Sequence, residues 1–116
     1  MNLLGESAKL KIIIGENDIV YNRPLYEAIV FAAKKYKLSG ATVTKGILSF
    51  GAQSIHQSVK IFSLSKHPPI IVEIIDYKDR LTDFAEIVKK LMIKAKAGGI
   101  ISMEDTEVLY YSKDQH

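Results

Sequence analysis

Ser54, His56 and Ser58 stand at alternate positions, which sets an imidazole between two hydroxyls and raises the question of nucleophilic catalysis. Such a relay needs a third group to orient the ring, and no carboxylate occurs in that segment. His56 therefore reads as a polar loop histidine in a chain that is not an enzyme. A hydrolase of the acylphosphatase type would need an arginine in the loop after the first strand, and residues 15–21 contain none. Cysteine is absent, which removes thiolate nucleophiles, disulfides and thiolate metal sites. His56, His67, Glu73, Asp76 and Glu104 could ligate a metal, but no two histidines have the spacing that places both on one element. No metal site is expected within one chain.

The glycines carry more information. Gly46, inside a strand-like run, and Gly51, just beyond it, weaken a sheet unless something must approach the backbone closely. That something is a ligand in one reading; in the other, the pair marks a bulge and a loop entrance. Gly98-Gly99 is equally open, because bare N–H groups between a helix and a strand can cradle an anion, while glycine is also a common helix stop. Lys45-Gly46-Ile47-Leu48-Ser49-Phe50 echoes an RNA-binding signature, but the aromatic faces needed for stacking on bases are missing. A formal charge of +3 scattered along the chain supplies no nucleic-acid footprint either.

These residues need a frame. Residues 9–14 alternate and then run into three isoleucines, a first strand. Asn22 as a cap and Pro24 in the first turn start a helix, along which Leu25, Ala28, Ile29, Ala32, Ala33 and Tyr36 form one apolar stripe. Gly40 is its expected left-handed stop. A second strand is predicted over 41–48, an exposed loop over 49–58, and a third strand over 59–64. Pro68-Pro69 then turns the chain into a more buried strand over 70–75. Asp76 is the expected cap of a second helix, with Tyr77, Leu81, Phe84, Val88, Leu91 and Ala95 on one face and Gly98-Gly99 as its stop. Residues 100–103 form a short extended piece and 106–111 a last strand. Strand–helix–strand occurs twice, with an acid, Glu16 or Asp76, closing the first strand each time. The pattern predicts a single α+β domain over 1–116, a ferredoxin-like split β-α-β fold with two helices on one face of an antiparallel sheet. An open sheet of this size leaves edges that symmetric assembly can cover.

Composition agrees with one globular domain: 116 residues, 47% of them hydrophobic and 25% charged. Residues 1–11 hold no basic segment followed by an apolar run, and no apolar stretch reaches the roughly 20 residues of a membrane span, so a cytoplasmic protein is expected. Lysine dominates over Arg23 and Arg80, the two arginines, a lean towards a heat-adapted source.

Taken together, Ile14-Gly15-Glu16-Asn17-Asp18, Pro24-Leu25-Tyr26-Glu27-Ala28-Ile29, Gly40-Ala41-Thr42-Val43-Thr44-Lys45-Gly46-Ile47, Phe50-Gly51 and Ser54-Ile55-His56 resemble the PII-like domain-of-unknown-function family one hundred and ninety. The likeness continues from Pro69 through Asp76 into the second helix and so covers nearly the whole chain. Proteins of this kind are similar to PII signalling proteins: ferredoxin-like subunits in trimers, with adenine nucleotides held in clefts between subunits and a T-loop that reports occupancy.

The resemblance implies a T-loop at 49–58, in which Gln53, Ser54 and His56 would be regulatory positions. It implies a nucleotide site in which Lys45, Gly46, Ser49, Phe50 and Gly51 of one subunit face Gly98, Gly99 and Ile100 of the next. The adenine nucleotide would be the ligand of a homotrimer that carries no cofactor, and a membrane transport protein is a conceivable partner. Glu104 and Asp105 intervene where PII proteins carry a glycine-rich phosphate segment, so repulsion of a triphosphate is expected, and AMP or ADP over ATP. No tyrosine occurs between Ala41 and Asp76, which removes the residue that PII proteins use for nucleotidylation. The alternative is a CutA-like trimer that binds a divalent metal or acts as a stable scaffold.

Overall fold

Ala8, Leu10, Ile12 and Ile14 alternate with Lys9, Lys11 and Ile13, and the first set is buried while the second is half-buried. That alternation is strand β1 (Ser7–Gly15) in the computed structural model of the chain, which describes residues 6–46 and 68–113. After it come a hairpin of β2 (Ile19–Val20) and β3 (Arg23–Pro24), helix α1 (Leu25–Lys35), β4 (Thr42–Lys45), β5 (Pro69–Tyr77), helix α2 (Lys78–Ala95) and β6 (Ile100–Thr106). The expected loop at 49–58 and strand at 59–64 lie outside the described residues.

The sheet runs β4-β5-β1-β6 with every neighbouring pair antiparallel. β1 and β4 are therefore parallel with β5 between them, and β5 and β6 are parallel with β1 between them. Two interleaved split β-α-β units result, an α+β arrangement compatible with the ferredoxin-like fold. Leu25, Ile29 and Ala33 of α1 and Leu81, Phe84, Val88 and Met92 of α2 join Ala8, Leu10, Ile12 and Ile14 of β1 and Ile70, Val72 and Ile74 of β5 in one core. The opposite face of the sheet carries Ile13 between Ile71 and Ile100, and beside them Lys9, Lys11, Glu73 and Glu104. No helix among the described residues is long and apolar enough to cross a membrane.

Several local expectations are corrected. Asn22 does not cap α1: with Tyr21 it forms the left-handed turn of the β2–β3 hairpin, at φ 62° and 52°, and Pro24 occupies the cap position. The N–H of Leu25 donates instead to the Asp18 carbonyl at 2.8 Å. Asp76 is not the cap residue of α2, which is Tyr77; its buried carboxylate lies at that same junction, where it accepts the Tyr77 N–H at 2.7 Å.

The helices stop at lysines, not glycines. Lys37 (φ 63°) and Lys96 (φ 55°) adopt the left-handed conformation. The N–H groups of Leu38 and Ala97 then reach back to the carbonyls of Ala33 and Met92 at 3.1 and 3.0 Å, the Schellman pattern. Gly40 and Gly98-Gly99 lie beyond these stops. The last strand is also earlier than expected: β6 ends at Thr106, and Leu109 and Tyr110 are more than four-fifths exposed in irregular chain.

Candidate functional site

β1 and β4 finish at the same end of the sheet at which β5 and β6 begin, as the pairs Gly15–Pro69, Lys45–Ile70 and Ile13–Ile100 require. Lys45 and Gly46 are thus at one end with Gly98, Gly99 and Ile100. They occupy opposite edges, however, because β4 and β6 are separated by β5 and β1. Three strand spacings put the two groups on the order of 14 Å apart, so one chain does not close them around a single small ligand. Ser49, Phe50, Gly51, Gln53, Ser54 and His56 lie outside the described residues.

At the β4 edge, the Lys45 ammonium is 2.9 Å from a Glu16 carboxylate oxygen. The Gly46 N–H donates to the Pro69 carbonyl at 2.8 Å, and the Glu16 N–H donates to the Pro68 carbonyl at 3.1 Å. A Cβ at position 46 would run into the Pro69 ring, so the bareness of this glycine answers to the protein's own packing. The turn that carries Glu16 is closed by Asp18, whose Oδ2 accepts the Gly15 N–H at 2.9 Å. Partial burial raises the Asp18 carboxyl above its ordinary pKa, and the Gly15 N–H opposes that rise. Glu16 was legible in the sequence only as the acid closing the first strand; nothing there paired it with Lys45.

At the β6 edge, Gly99 packs so closely on β1 that a Cβ would meet the carbonyl oxygen of Ile13, as well as Met92 Cε at 3.1 Å and Ile14 Cγ2 at 3.2 Å. Gly99→Ala is expected to lower the unfolding free energy by about 1–3 kcal/mol, since the Ile13 backbone cannot swing aside. A urea midpoint equal to that of the unaltered protein would refute this close packing. Ile100 is exposed at the start of the strand.

Glu104 and Asp105 are not at this end. Glu104 pairs with Lys9 in the register while Ile100 pairs with Ile13, which places Glu104 on the order of 13 Å along the strand from Ile100. Lys9 sits 3.2 Å from Glu73 and 3.3 Å from Glu104, and Lys78 sits 3.1 Å from Asp105. Hydrogen bonding to Glu73, then to Glu104, raises the Lys9 pKa. The acids expected to repel a triphosphate are thus partnered, and within the chain they are remote from the glycines. Among the described residues no three metal-binding side chains converge.

The comparisons with known proteins agree with this frame. The model of the DUF190 family, described as an uncharacterized ACR, matches residues 7–108. A UPF0166 protein of Aquifex aeolicus (strain VF5) is 35% identical over 101 residues, covering 87% of this chain and 91% of the relative. A UPF0166 protein of Methanocaldococcus jannaschii is 32% identical over 99 residues, covering 85% of this chain and 88% of the relative. The match spans every strand and both helices described above, and the chain belongs to the DUF190 family of the PII-like superfamily.

Proposed function

We propose that the chain is a non-catalytic signalling subunit that binds an adenine nucleotide, AMP or ADP over ATP, between neighbouring copies in a homotrimer. Lys45 and Gly46, with Ser49, Phe50 and Gly51, would form one wall, and Gly98, Gly99 and Ile100 of the adjoining copy the other. Gln53, Ser54 and His56 would report occupancy to a cytoplasmic partner or to the cytoplasmic side of a membrane transport protein. The observation that carries this reading is the placement of Lys45-Gly46 and Gly98-Gly99 at one end of the sheet but on opposite edges. A cleft assembled from two chains needs that placement. A lysine ammonium and backbone N–H groups suit the phosphates of such a ligand, and couplings of this kind carry about 1–3 kcal/mol.

Calorimetric titration with AMP, ADP, ATP and cyclic nucleotides, on protein whose mass is measured by light scattering, tests the reading. Saturable heat with AMP or ADP, on a trimer, is the expected result. A monomer that gives no heat with any of these ligands at millimolar concentration would end it.

A further inference from the structure

The acids that the sequence set against a triphosphate are engaged elsewhere, yet one carboxylate does stand at the candidate site. We infer that Glu16 determines ligand charge there: it is a resident counter-ion that holds Lys45, and an anionic ligand must compete with it. This rests on the reading above, because it assigns the charge selectivity of that same site.

The backbones of both partners are held, Lys45 by its pairing with Ile70, but their side chains differ in freedom. Glu16 is fixed through its own backbone, which donates to the Pro68 carbonyl, and through the Gly15–Asp18 turn, where the Asp18 N–H also donates to the Gly15 carbonyl at 3.3 Å. Its side chain is about one-third exposed, whereas that of Lys45 is 58% exposed on a long flexible stem. A phosphate can draw the ammonium away, but the carboxylate stays. Once Lys45 has turned to a ligand, Glu16 is an uncompensated negative charge a few ångströms from where the ammonium was held, and each further charge on the ligand is repelled by it. Binding therefore gains less from added phosphates than a free lysine would give.

Neutralising Glu16 is the test. Glu16→Gln keeps the N–H that donates to Pro68, and Glu16→Ser is a second neutral replacement with the same backbone donor should the first not fold. Titrations of both variants and the unaltered protein would use AMP, ADP and ATP, with inorganic tripolyphosphate as a probe that needs no nucleotide pocket. The expected result is tighter binding that grows with ligand charge, about 5-fold for ATP and tripolyphosphate and less for AMP, the scale of one partly exposed ion pair. The gain should shrink at about 0.5 M salt, where the screening length is a few ångströms. Nucleotide binding that is equal in the unaltered and neutral forms overturns this inference and leaves the proposed function standing. If no nucleotide binds at all, the proposed function fails, and the tripolyphosphate comparison alone decides: a gain in the neutral forms sustains the role of Glu16, and equal or absent binding overturns it.

Discussion

Asp76→Ala is expected to lower the unfolding free energy by about 2–4 kcal/mol, the scale for removing a buried carboxylate that accepts two N–H groups and faces a partly exposed arginine. The carboxylate is fully buried. Its Oδ2 accepts the Ser39 N–H at 2.8 Å, its Oδ1 accepts the Tyr77 N–H at 2.7 Å, and the Arg80 guanidinium lies 3.4 Å away. Arg80 in turn donates to the carbonyls of Tyr36 and Lys37 at 2.7 and 3.2 Å and stacks over the Tyr36 ring. It thereby satisfies acceptors that the end of α1 leaves without helical partners. Ser39 adds a hydroxyl donated to the Ile75 carbonyl, and its own carbonyl accepts the Tyr111 hydroxyl at 3.3 Å. One carboxylate thus fastens the connection from α1 to β4, the junction of β5 with α2, and the C-terminal arm. Without it, two N–H donors lose their acceptor, and Arg80 keeps its carbonyl acceptors but loses its counter-charge. Asp76→Asn should recover little, because its amide offers a donor where donors already converge. Urea unfolding at neutral pH reads both variants, and a loss below about 1 kcal/mol for Asp76→Ala would show that the network is dispensable.

Phe84→Ala should cost a similar amount, about 3–5 kcal/mol, by a different route. The ring is completely buried where α2 meets the sheet, and it lies 5.8 Å from the Tyr36 ring at a tilt of 43°. Truncation removes apolar surface from the core and leaves a cavity whose walls are strands and a helix, elements that collapse only in part. Thermal unfolding followed by circular dichroism should show a midpoint lower by roughly 10–20 °C for a domain of this size. A shift of only a degree or two would mean that the core closes over the gap. Phe84→Leu, which preserves most of the volume, should restore more than half of the loss.

The elements that expose one face and bury the other were legible in the residues. Leu10, Ile12 and Ile14 mark β1 by alternation, and Leu81, Phe84 and Val88 mark α2 by three- and four-residue steps, although Met92, not the expected Leu91, completes the buried face. β6 lacks a clear sequence signal because it is an edge strand exposed along most of its length, so Ile100 to Thr106 has no buried alternation. The β-branched and aromatic run from Val108 to Tyr111 carried the stronger strand signal, yet Leu109 and Tyr110 are solvated. The β2–β3 hairpin carries no strong turn signal, since its turn uses Tyr21-Asn22 and no glycine. Propensity points to glycines as the helix stops, whereas Lys37 and Lys96 accept the left-handed conformation within hydrogen-bonded Schellman turns.

At the candidate site, Lys45, Gly46, Gly98, Gly99 and Ile100 were named from the residues and the family resemblance, and the fold brings them to one end of the sheet. Their separation onto two edges depends on strand order, which no local pattern encodes. The pairing of Glu16 with Lys45 is equally non-local, since it requires the end of β4 to lie near the turn that follows β1.

The side of the sheet opposite the helices has an electrostatic consequence of its own. Among its described strand residues, the ammonium groups of Lys9 and Lys11 are matched by the carboxylates of Glu73 and Glu104, with Lys9 bridging both acids. That surface carries no net charge, so identical copies of it can be laid against one another without accumulating repulsion, and the isoleucines beside the charges gain whatever water the contact expels.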